Sequence, residues 1–267
     1  MYEVTASIVI YENDSQELLR AISSFLNTDM NVKLYLIDNS PSDDFKSLVP
    51  SDSRVDYYFV GENLGFGKAH NIALEKAKTN SKYHLLLNPD IYFEKGVLET
   101  LYNYMEENDK VGLVTPNIFL PDGTIPYTSR LLPSPTTLIK RRLFPNVAKD
   151  VFTTINYDKP VSSPWISGCF MFVRSSILES VGLFDTRYFM YCEDLDFSRR
   201  AHSKGWDIIN YPAVKAIHVA HRESARSPKM LFIHLVSACK YFTKWGWFFD
   251  KERDKINEEA INKLRES

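Results

Sequence analysis

Short apolar runs and amphipathic stretches alternate along residues 1–120. The apolar runs, several of them rich in β-branched residues, predict strands at 7–11, 32–37, 55–60, 83–87 and 111–115. Between them, helical spacing of apolar residues occurs at 15–25, 68–78 and 95–107. Asp14 or Ser15 can cap the first of these helices. This alternation predicts βαβ units, and therefore an α/β fold whose mainly parallel sheet is flanked by helices.

The pattern is less regular after residue 120. It predicts strands at 165–173, 206–211 and 214–218, and helices at 175–181 and 193–204. Residues 121–165 contain seven prolines, so we expect a long, partly mobile connection there. The chain from residue 227 onward is mostly helical in pattern. We therefore divide the chain into residues 1–120, residues 121–225 and a helical C-terminal extension at 226–267.

Three polar residues lie just past the carboxyl ends of predicted strands. Asp38 follows the second strand, Asn63 the third and Asp90 the fourth. In open α/β sheets, ligands bind beyond the carboxyl ends of the strands, where the strand order reverses. We therefore expect these three side chains to line one cleft.

Composition excludes several classes of protein. The chain has 267 residues, of which 44% are hydrophobic, and a net charge of −2, so it is a folded globular chain with no electrostatic reason to bind nucleic acid. Its three cysteines form neither a zinc pattern nor a disulfide framework, which favours a reducing compartment. It has no signal-peptide pattern and no apolar stretch of spanning length. We expect a cytoplasmic protein, soluble or attached to a membrane face.

Two acidic motifs are candidates for chemistry. In Asn88-Pro89-Asp90, a carboxylate at the end of a buried strand can bind Mg²⁺ or Mn²⁺, although an Asx turn that closes the strand has the same sequence. Glu193, Asp194 and Asp196 begin a predicted helix, where acids are also favourable as caps. The functional interpretation is that Asp194 projects into the cleft as a general base, made more basic by nearby aromatic residues.

Two further motifs are less specific. His218 and His221 follow a predicted strand and can be metal ligands or packed side chains. Gly65-Phe66-Gly67 with Lys68 is either a phosphate-binding loop or only a tight turn from strand to helix.

Together, the motifs form an ordered set that resembles the inverting glycosyltransferases of family 2, which have the Rossmann-like GT-A fold. The resemblance covers about residues 5 to 225. Its motifs are Ser7-Ile8-Val9-Ile10-Tyr11, Ile37-Asp38-Asn39-Ser40, Asn63-Leu64-Gly65-Phe66-Gly67 with Asn71, Leu85-Leu86-Leu87-Asn88-Pro89-Asp90, Trp165-Ile166-Ser167-Gly168 with Arg174, Gly182-Leu183-Phe184-Asp185, Tyr188 to Asp196, Arg199 and His218.

The resemblance implies a role for each matching residue. Residues 1–120 would be the nucleotide-sugar-binding half and residues 121–225 the acceptor and catalytic half. Asp194 would be the base that deprotonates the acceptor hydroxyl, while Asp90 and His218 would bind Mg²⁺ or Mn²⁺. Asp38 would bind the nucleotide base with Tyr11 near its ring. The other donor-side residues would be Asn63, Gly65, Lys68 and Asn88, and the sugar and acceptor pocket would contain Trp165, Gly168, Tyr191 and Glu193.

Within that family, the second half looks most like the rhamnosyltransferases of bacterial O-antigen and lipopolysaccharide assembly. That similarity implies dTDP-L-rhamnose as the donor and a saccharide acceptor linked to polyprenyl diphosphate. Two alternatives stay open, a UDP-hexose donor and a catalytically weak nucleotide-sugar-binding scaffold protein. The second alternative rests on Asn88, which stands where the family's metal motif has an acid.

The 13% aromatic content allows either a Phe- and Tyr-rich core or a surface that faces carbohydrate or membrane. Residues 226–255 carry seven Lys or Arg against three acids, interleaved with Trp and Phe. This mixture is typical of a segment that lies on the inner face of the cytoplasmic membrane, and also of a helix that packs on its own domain or on a second subunit of a homodimer.

Overall fold

In the computed structural model, residues 1–124, 129–143, 159–220 and 227–266 are described. His221 and the central part of the proline-rich connection lie outside the described residues. In the remainder, the α/β class expected from the sequence is confirmed.

The first half of the sheet contains four parallel strands in the order β3-β2-β1-β4. These are β1 (Tyr2–Ile10), β2 (Val32–Asp38), β3 (Val55–Phe59) and β4 (Ser81–Leu87), with helices α1 (Ser15–Leu26) and α2 (Phe66–Asn80) and a short 3₁₀-helix (Asp44–Leu48) between them. Helix α1 begins where Asp14 accepts hydrogen bonds from the amides of Gln16 and Glu17, which confirms the predicted cap.

The second half of the sheet is mixed. Its elements are β5 (Ile91–Phe93), α3 (Val97–Glu107), β6 (Val111–Phe119), β7 (Ser129–Arg130), α4 (Pro135–Leu143), β8 (Val161–Ser162), β9 (Trp165–Ile166), β10 (Phe170–Arg174), α5 (Ile177–Val181), α6 (Glu193–Ser203) and β11 (Asp207–His218). After β4 the order continues β10-β6-β11-β5, with β10 antiparallel to both of its neighbours. The mainly parallel arrangement therefore holds for β3 to β4, and β10 interrupts it.

Three predicted strands are divided or joined differently in the structure. The run at 165–173 is divided into β9 and β10, because the chain turns at Gly168 between them. The two runs at 206–218 form a single strand, β11, whose register with β6 shifts between Tyr211 and Lys215. Pro212 lies inside that shift, where its missing amide hydrogen cannot take part in the ladder.

Candidate site residues collect at one edge of the sheet. Because β1, β2, β4, β6 and β11 all run in the same direction, their carboxyl ends share an edge. Asp38 ends β2, His218 ends β11, and Asn88 directly follows β4. Strand β10 begins at the same edge, with Phe170 opposite Leu87.

A chain of polar side chains crosses the otherwise apolar core. Ser7 Oγ lies 2.7 Å from His70 Nδ1 and 2.8 Å from His84 Nε2, and Thr5 Oγ1 lies 2.8 Å from His84 Nδ1. All four residues are buried. Burial lowers the pKa of His84 to about 3 and also lowers the pKa of His70, so both rings are neutral at pH 7.

Helices α7 (Pro228–Trp245) and α8 (Lys251–Glu266) pack on α6 and on the loop before it. The cluster between them contains Tyr188, Leu195, Ala238, Tyr241, Phe242 and Ile256. Within the described ranges, no helix combines the length and apolar character needed to cross a membrane.

Candidate active site

Asp38 is fully buried at the end of β2 and is held by two donors. Tyr57 donates its hydroxyl hydrogen to Asp38 Oδ2 at 2.5 Å, and the Ser40 amide donates to Oδ1 at 2.8 Å. Burial and this carboxylate raise the pKa of Tyr57. Tyr11, at the end of β1, is 44% exposed, so its ring is available to a ligand at this edge.

The loop before α2 touches the aromatic loop before α6 through backbone atoms. Asn63 Oδ1 accepts a hydrogen bond from the Gly65 amide at 2.9 Å, and the Phe66 amide donates to the Phe189 carbonyl at 2.9 Å. Gly65 has φ +77°, and a Cβ atom there would lie 2.0 Å from the Phe189 oxygen. Only glycine permits this approach. Lys68, in the first turn of α2, is exposed.

Asp90 and His218 are in direct contact at the sheet edge. Asp90 Oδ2 lies 3.2 Å from His218 Nε2, and the two side chains are 15% and 16% exposed. They meet because β11 pairs with β5, which places His218 opposite Ile91. Burial lowers the pKa of His218, but hydrogen bonds with Asp90 and Cys169 outweigh burial and raise it to about 10. The backbone amide of Asn88 donates to the Cys169 carbonyl at 2.8 Å, which fixes the position of Asn88.

With its raised pKa, His218 is protonated when no cation is bound, so a divalent cation held by this pair would have to displace that proton, and it would share its coordination with a substrate. One carboxylate and one imidazole suit Mn²⁺, and Mg²⁺ commonly binds through one or two carboxylates plus substrate phosphates. In the described part of the chain there is no cluster of three or more His, Cys, Asp or Glu side chains that would hold a metal by itself. With two ligands from the described residues, the cation would keep coordination positions for substrate oxygens and water.

Asp194 occupies the first turn of α6 and is fixed from two sides. The Gly168 amide donates to Asp194 Oδ2 at 2.9 Å, and the Leu195 amide donates to Oδ1 at 2.7 Å. A Cβ atom on Gly168 would lie 3.1 Å from the Phe66 ring and 3.3 Å from Asp194 Cβ, so the missing side chain makes room for both. Burial raises the pKa of Asp194, and these two amides oppose that shift.

Glu193 precedes Asp194 and is 5% exposed. Among the described residues, its Oε2 atom has no hydrogen-bond partner. Burial, and then the charge of Asp194, raise the pKa of Glu193. Tyr191 and Cys192, just before this pair, both have left-handed backbone angles, with φ +69° and +68°. Two consecutive strained residues at a helix start are typical of a functional site.

Trp165 lies in β9, opposite Arg130 of β7. The Arg130 guanidinium is 5.7 Å from the centre of the Trp165 ring. Trp165 packs at the border of the cluster that joins α6 to α7. Gly168 follows two residues after the end of β9, so this strand and the turn after it place Trp165 and Gly168, two of the predicted pocket residues, beside α6.

Sequence reasoning missed Lys244 and Trp245, which attach α7 to α6 through Asp196. Asp196 is fully buried and receives Lys244 Nζ and Trp245 Nε1, both at 2.7 Å, besides Arg200 Nε at 2.8 Å. The spacing of Asp196 and Arg200 predicts their pairing. Lys244 and Trp245 lie 48 and 49 residues away from Asp196. No local pattern connects them, and only the basic, aromatic composition of α7 marked them.

The sequence matches a family model and is similar to several known proteins. The family model "Glycosyl transferase family 2" matches residues 6–182. Rhamnosyltransferase WbbL of Escherichia coli K12 is 29% identical over 260 residues, which cover 94% of this chain and 97% of that protein. The N-acetylglucosaminyl-diphospho-decaprenol L-rhamnosyltransferase of Mycobacterium tuberculosis is 27% identical over 248 residues, which cover 85% of this chain and 80% of that protein.

A solved structure shares the fold. The crystal structure of GalNAc-T7 with UDP, GalNAc and Mn²⁺ superposes with a TM-score of 0.69 over 92% of this chain, at 14% sequence identity. This chain spans 48% of the length of that one. At this identity the likeness concerns the fold alone.

Proposed function

This chain belongs to glycosyl transferase family 2, and from that membership we propose that it transfers L-rhamnose with inversion from dTDP-L-rhamnose to a saccharide on a lipid diphosphate. It is a glycosyltransferase. The donor and acceptor are inferred from its similarity to two rhamnosyltransferases, one of which is named for a sugar-diphospho-decaprenol acceptor. We place the reaction in the assembly of cell-surface polysaccharide such as O-antigen.

The observation that carries the proposal is the fixed Asp194 carboxylate beside Gly168. In a single displacement, the acceptor hydroxyl oxygen attacks the anomeric carbon while the bond from that carbon to the diphosphate breaks. Asp194 takes the hydroxyl proton, and the nucleotide diphosphate leaves. Burial raises the pKa of Asp194, which makes this carboxylate a better base than an exposed one. No protein nucleophile is needed.

The remaining candidate residues divide between donor and acceptor. Asp38, held by Tyr57, would accept hydrogen bonds from the nucleotide base, and exposed Tyr11 would lie against its ring. Donor-side contacts would also come from Asn63, Gly65, Lys68 and Asn88. The pocket for the transferred sugar and the acceptor would contain Trp165, Gly168, Tyr191 and Glu193. The Oε2 atom of Glu193 supports this role, because it is buried and has no hydrogen-bond partner among the described residues, so a sugar hydroxyl that bonded to it would offset the cost of its burial.

Asp90 and His218 would hold Mg²⁺ or Mn²⁺ together with diphosphate oxygens of the donor. Bound there, the cation would stabilise the negative charge that develops on the departing diphosphate. Asn88 supplies a neutral amide where the family's metal motif has an acid. Fewer charged ligands imply a modest affinity for the cation in the absence of donor.

A lipid-linked acceptor implies that the transfer takes place at the cytoplasmic face of the inner membrane. Exposed apolar side chains of the C-terminal region support this location. They are Trp247, Phe248 and Phe249 between α7 and α8. Other aromatic residues of the same region, Tyr241 and Phe242, are buried against α6 and have a structural role. A second subunit bound to the exposed residues is the competing interpretation.

A panel of nucleotide sugars, each with and without Mg²⁺ or Mn²⁺, tests the proposal. We expect transfer from dTDP-L-rhamnose only with metal present. Asp194→Asn keeps an oxygen acceptor for the Gly168 amide but removes the base, so we expect kcat to fall about 10²- to 10⁴-fold with donor affinity preserved. Asp29→Asn, at a side chain that is 90% exposed, is the control.

Two results would contradict the proposal. If Asp194→Asn were fully active, Asp194 would not be the catalytic base. If transfer from a UDP-hexose were preferred, the donor would not be dTDP-L-rhamnose. Donor binding without turnover from any sugar would instead favour the scaffold protein, the second candidate, which Asn88 supports.

A further inference from the structure

An apolar groove runs along the outer face of α7. It has a volume of about 520 Å³ and is lined by Phe232, Leu235, Val236, Cys239, Thr243, Lys240 and Arg187. Phe232 is 68% exposed and Leu235 is 52% exposed, so apolar surface remains open to solvent there. Its two cations, Arg187 and Lys240, come from different elements, the loop before α6 and α7.

The groove follows the loop that leads into Asp194. Ser237 donates its hydroxyl hydrogen to the Met190 carbonyl at 2.7 Å, and Lys240 donates to the Arg187 carbonyl at 2.6 Å. One turn earlier on α7, His234 stacks on Tyr191 at 4.8 Å between ring centres. Arg187 of this loop and Lys240, which donates to it, also line the groove, so the groove borders the loop that leads into Asp194.

We propose that this groove binds the first isoprene units of the acceptor's lipid chain, with Arg187 and Lys240 facing its diphosphate. The inference rests on the proposed function, which supplies a lipid diphosphate acceptor. Two properties of the groove match that ligand. Its floor of Phe232, Leu235 and Val236 is apolar like an isoprenoid. Lys240 and Arg187 at its border complement a diphosphate, although Arg187 shares its charge with Asp185 at 2.9 Å. An apolar recess with a few convergent charges is the usual form of a ligand site.

The shape of this surface distinguishes it from one that lies on a bilayer. A flat membrane contacts protruding side chains, and Phe248 and Phe249, which are 70% and 97% exposed, have that character. Phe232 also protrudes, but beside it the groove has a volume of about 520 Å³, and one of its cations, Arg187, belongs to the loop that leads into Asp194. A single chain that leaves the membrane beside Phe248 and Phe249 could enter it.

Two acceptors with the same saccharide diphosphate test the inference, one with a short isoprenoid chain and one with a methyl group. In the absence of vesicles and below the micelle concentration, we expect the wild-type KM to be about tenfold or more lower for the isoprenoid acceptor. Leu235→Asp should bring the ratio of the two KM values close to one, and Phe232→Ser should reduce it. Ile139→Asp, at a 57% exposed residue of α4, is the matched control and should keep the ratio.

Calorimetry with an isoprenyl diphosphate that carries no sugar gives a second readout, independent of turnover. We expect binding that Leu235→Asp weakens about tenfold and Ile139→Asp leaves unchanged. Equal wild-type KM values for the two acceptors, with transfer to both, would overturn the groove and leave the proposed function standing. No transfer to either acceptor, with isoprenyl diphosphate still bound, would overturn the proposed function and leave the groove.

The same experiments distinguish two other possible occupants of the groove, a bilayer and a second copy of the chain. If the difference in KM appears only with anionic vesicles, the surface binds a bilayer and the groove assignment is wrong. If Leu235→Asp converts a dimer into a monomer in sedimentation, a second copy of the chain covers this face, and the assignment is again wrong.

Discussion

Gly65 and Gly182 have nearly the same backbone conformation but different surroundings. Their φ and ψ angles are +77° and −176° in Gly65, and +76° and −174° in Gly182. A Cβ atom on Gly182 would meet only the end of the Arg200 side chain, at 3.7 Å. A Cβ atom on Gly65 would meet the Phe189 backbone, at 2.0 Å from its oxygen. Only at Gly65 does glycine also permit contact between two loops of the site.

Alanine at each position separates backbone strain from the contact. Both variants should lose about 1–3 kcal/mol of unfolding free energy, because this region of φ and ψ is almost restricted to glycine. Gly65→Ala should lose more, and its kcat should also fall, because the loop that leads into Asp194 has to move. Urea denaturation and turnover assays measure the two effects. Equal losses of stability and activity in both variants would contradict this account.

At the scale of elements, a buried ion pair attaches α8 to α6. Arg199 donates two hydrogen bonds of 2.6 Å to Asp250, and their side chains are 1% and 4% exposed. The same guanidinium lies 4.3 Å from the centre of the Trp245 ring. Hydrogen bonds to Asp250 outweigh burial and raise the pKa of Arg199, so its charge persists at any ordinary pH.

Removing one member of this pair should be far more costly than removing both. Asp250→Leu removes both short hydrogen bonds and leaves the buried cation with the longer, 3.3 Å contact to the partly exposed Glu252, so we expect a loss of about 3 kcal/mol in unfolding free energy. The double variant Arg199→Met with Asp250→Leu should recover part of that loss, which denaturation in a double-mutant cycle would measure. Lys255→Ala, in an exposed pair, should change stability by less than about 0.5 kcal/mol. An Asp250→Leu loss no larger than this control would show that the pair does not hold α8.

The same elements show what the sequence could and could not predict. Strands β2 to β4 and the helices between them were predicted to within about two residues, because each apolar run has its own local periodicity, whereas β1 begins five residues before its predicted start. The antiparallel insertion of β10 and the pairing of β11 with β5 were not, because they depend on partners far away in the chain. For the same reason, local patterns predicted Asp90 and His218 only separately, and the family resemblance alone assigned both to one metal. The contact of Lys244 with Asp196 was not predicted. The family is confirmed, while the role of each residue stays a prediction.

The polar chain in the core affects the stability of the whole molecule. His84 is neutral in the folded state with a pKa of about 3, whereas in the unfolded chain the ordinary value is about 6.5. The unfolded state therefore binds more protons between these two values, so the contribution of His84 to stability is present above pH 6.5 and is lost as the pH falls toward 3. His70, whose pKa burial also lowers, acts in the same direction.

Comparison of the wild type with His84→Gln isolates this effect. The variant has a constant penalty from altered hydrogen bonds, but it lacks the titration of one ring. Between pH 7.5 and pH 5, we expect the wild type to lose about 2 kcal/mol more unfolding free energy than the variant. Denaturation curves at several pH values measure this difference. Parallel pH profiles for the two proteins would mean that His84 has the same pKa in the folded and unfolded states, and would contradict this account.

The attachment of the C-terminal helices to α6 has a consequence for protein engineering. Lys244 of α7 bridges Asp196 and Asp185, and Asp250 at the start of α8 pairs with Arg199, so three helices share buried charges. A chimera that takes α7 and α8 from one homologue and α6 from another would bury charges without their partners. Recombination aimed at a new acceptor should therefore exchange residues 185–266 as a single cassette.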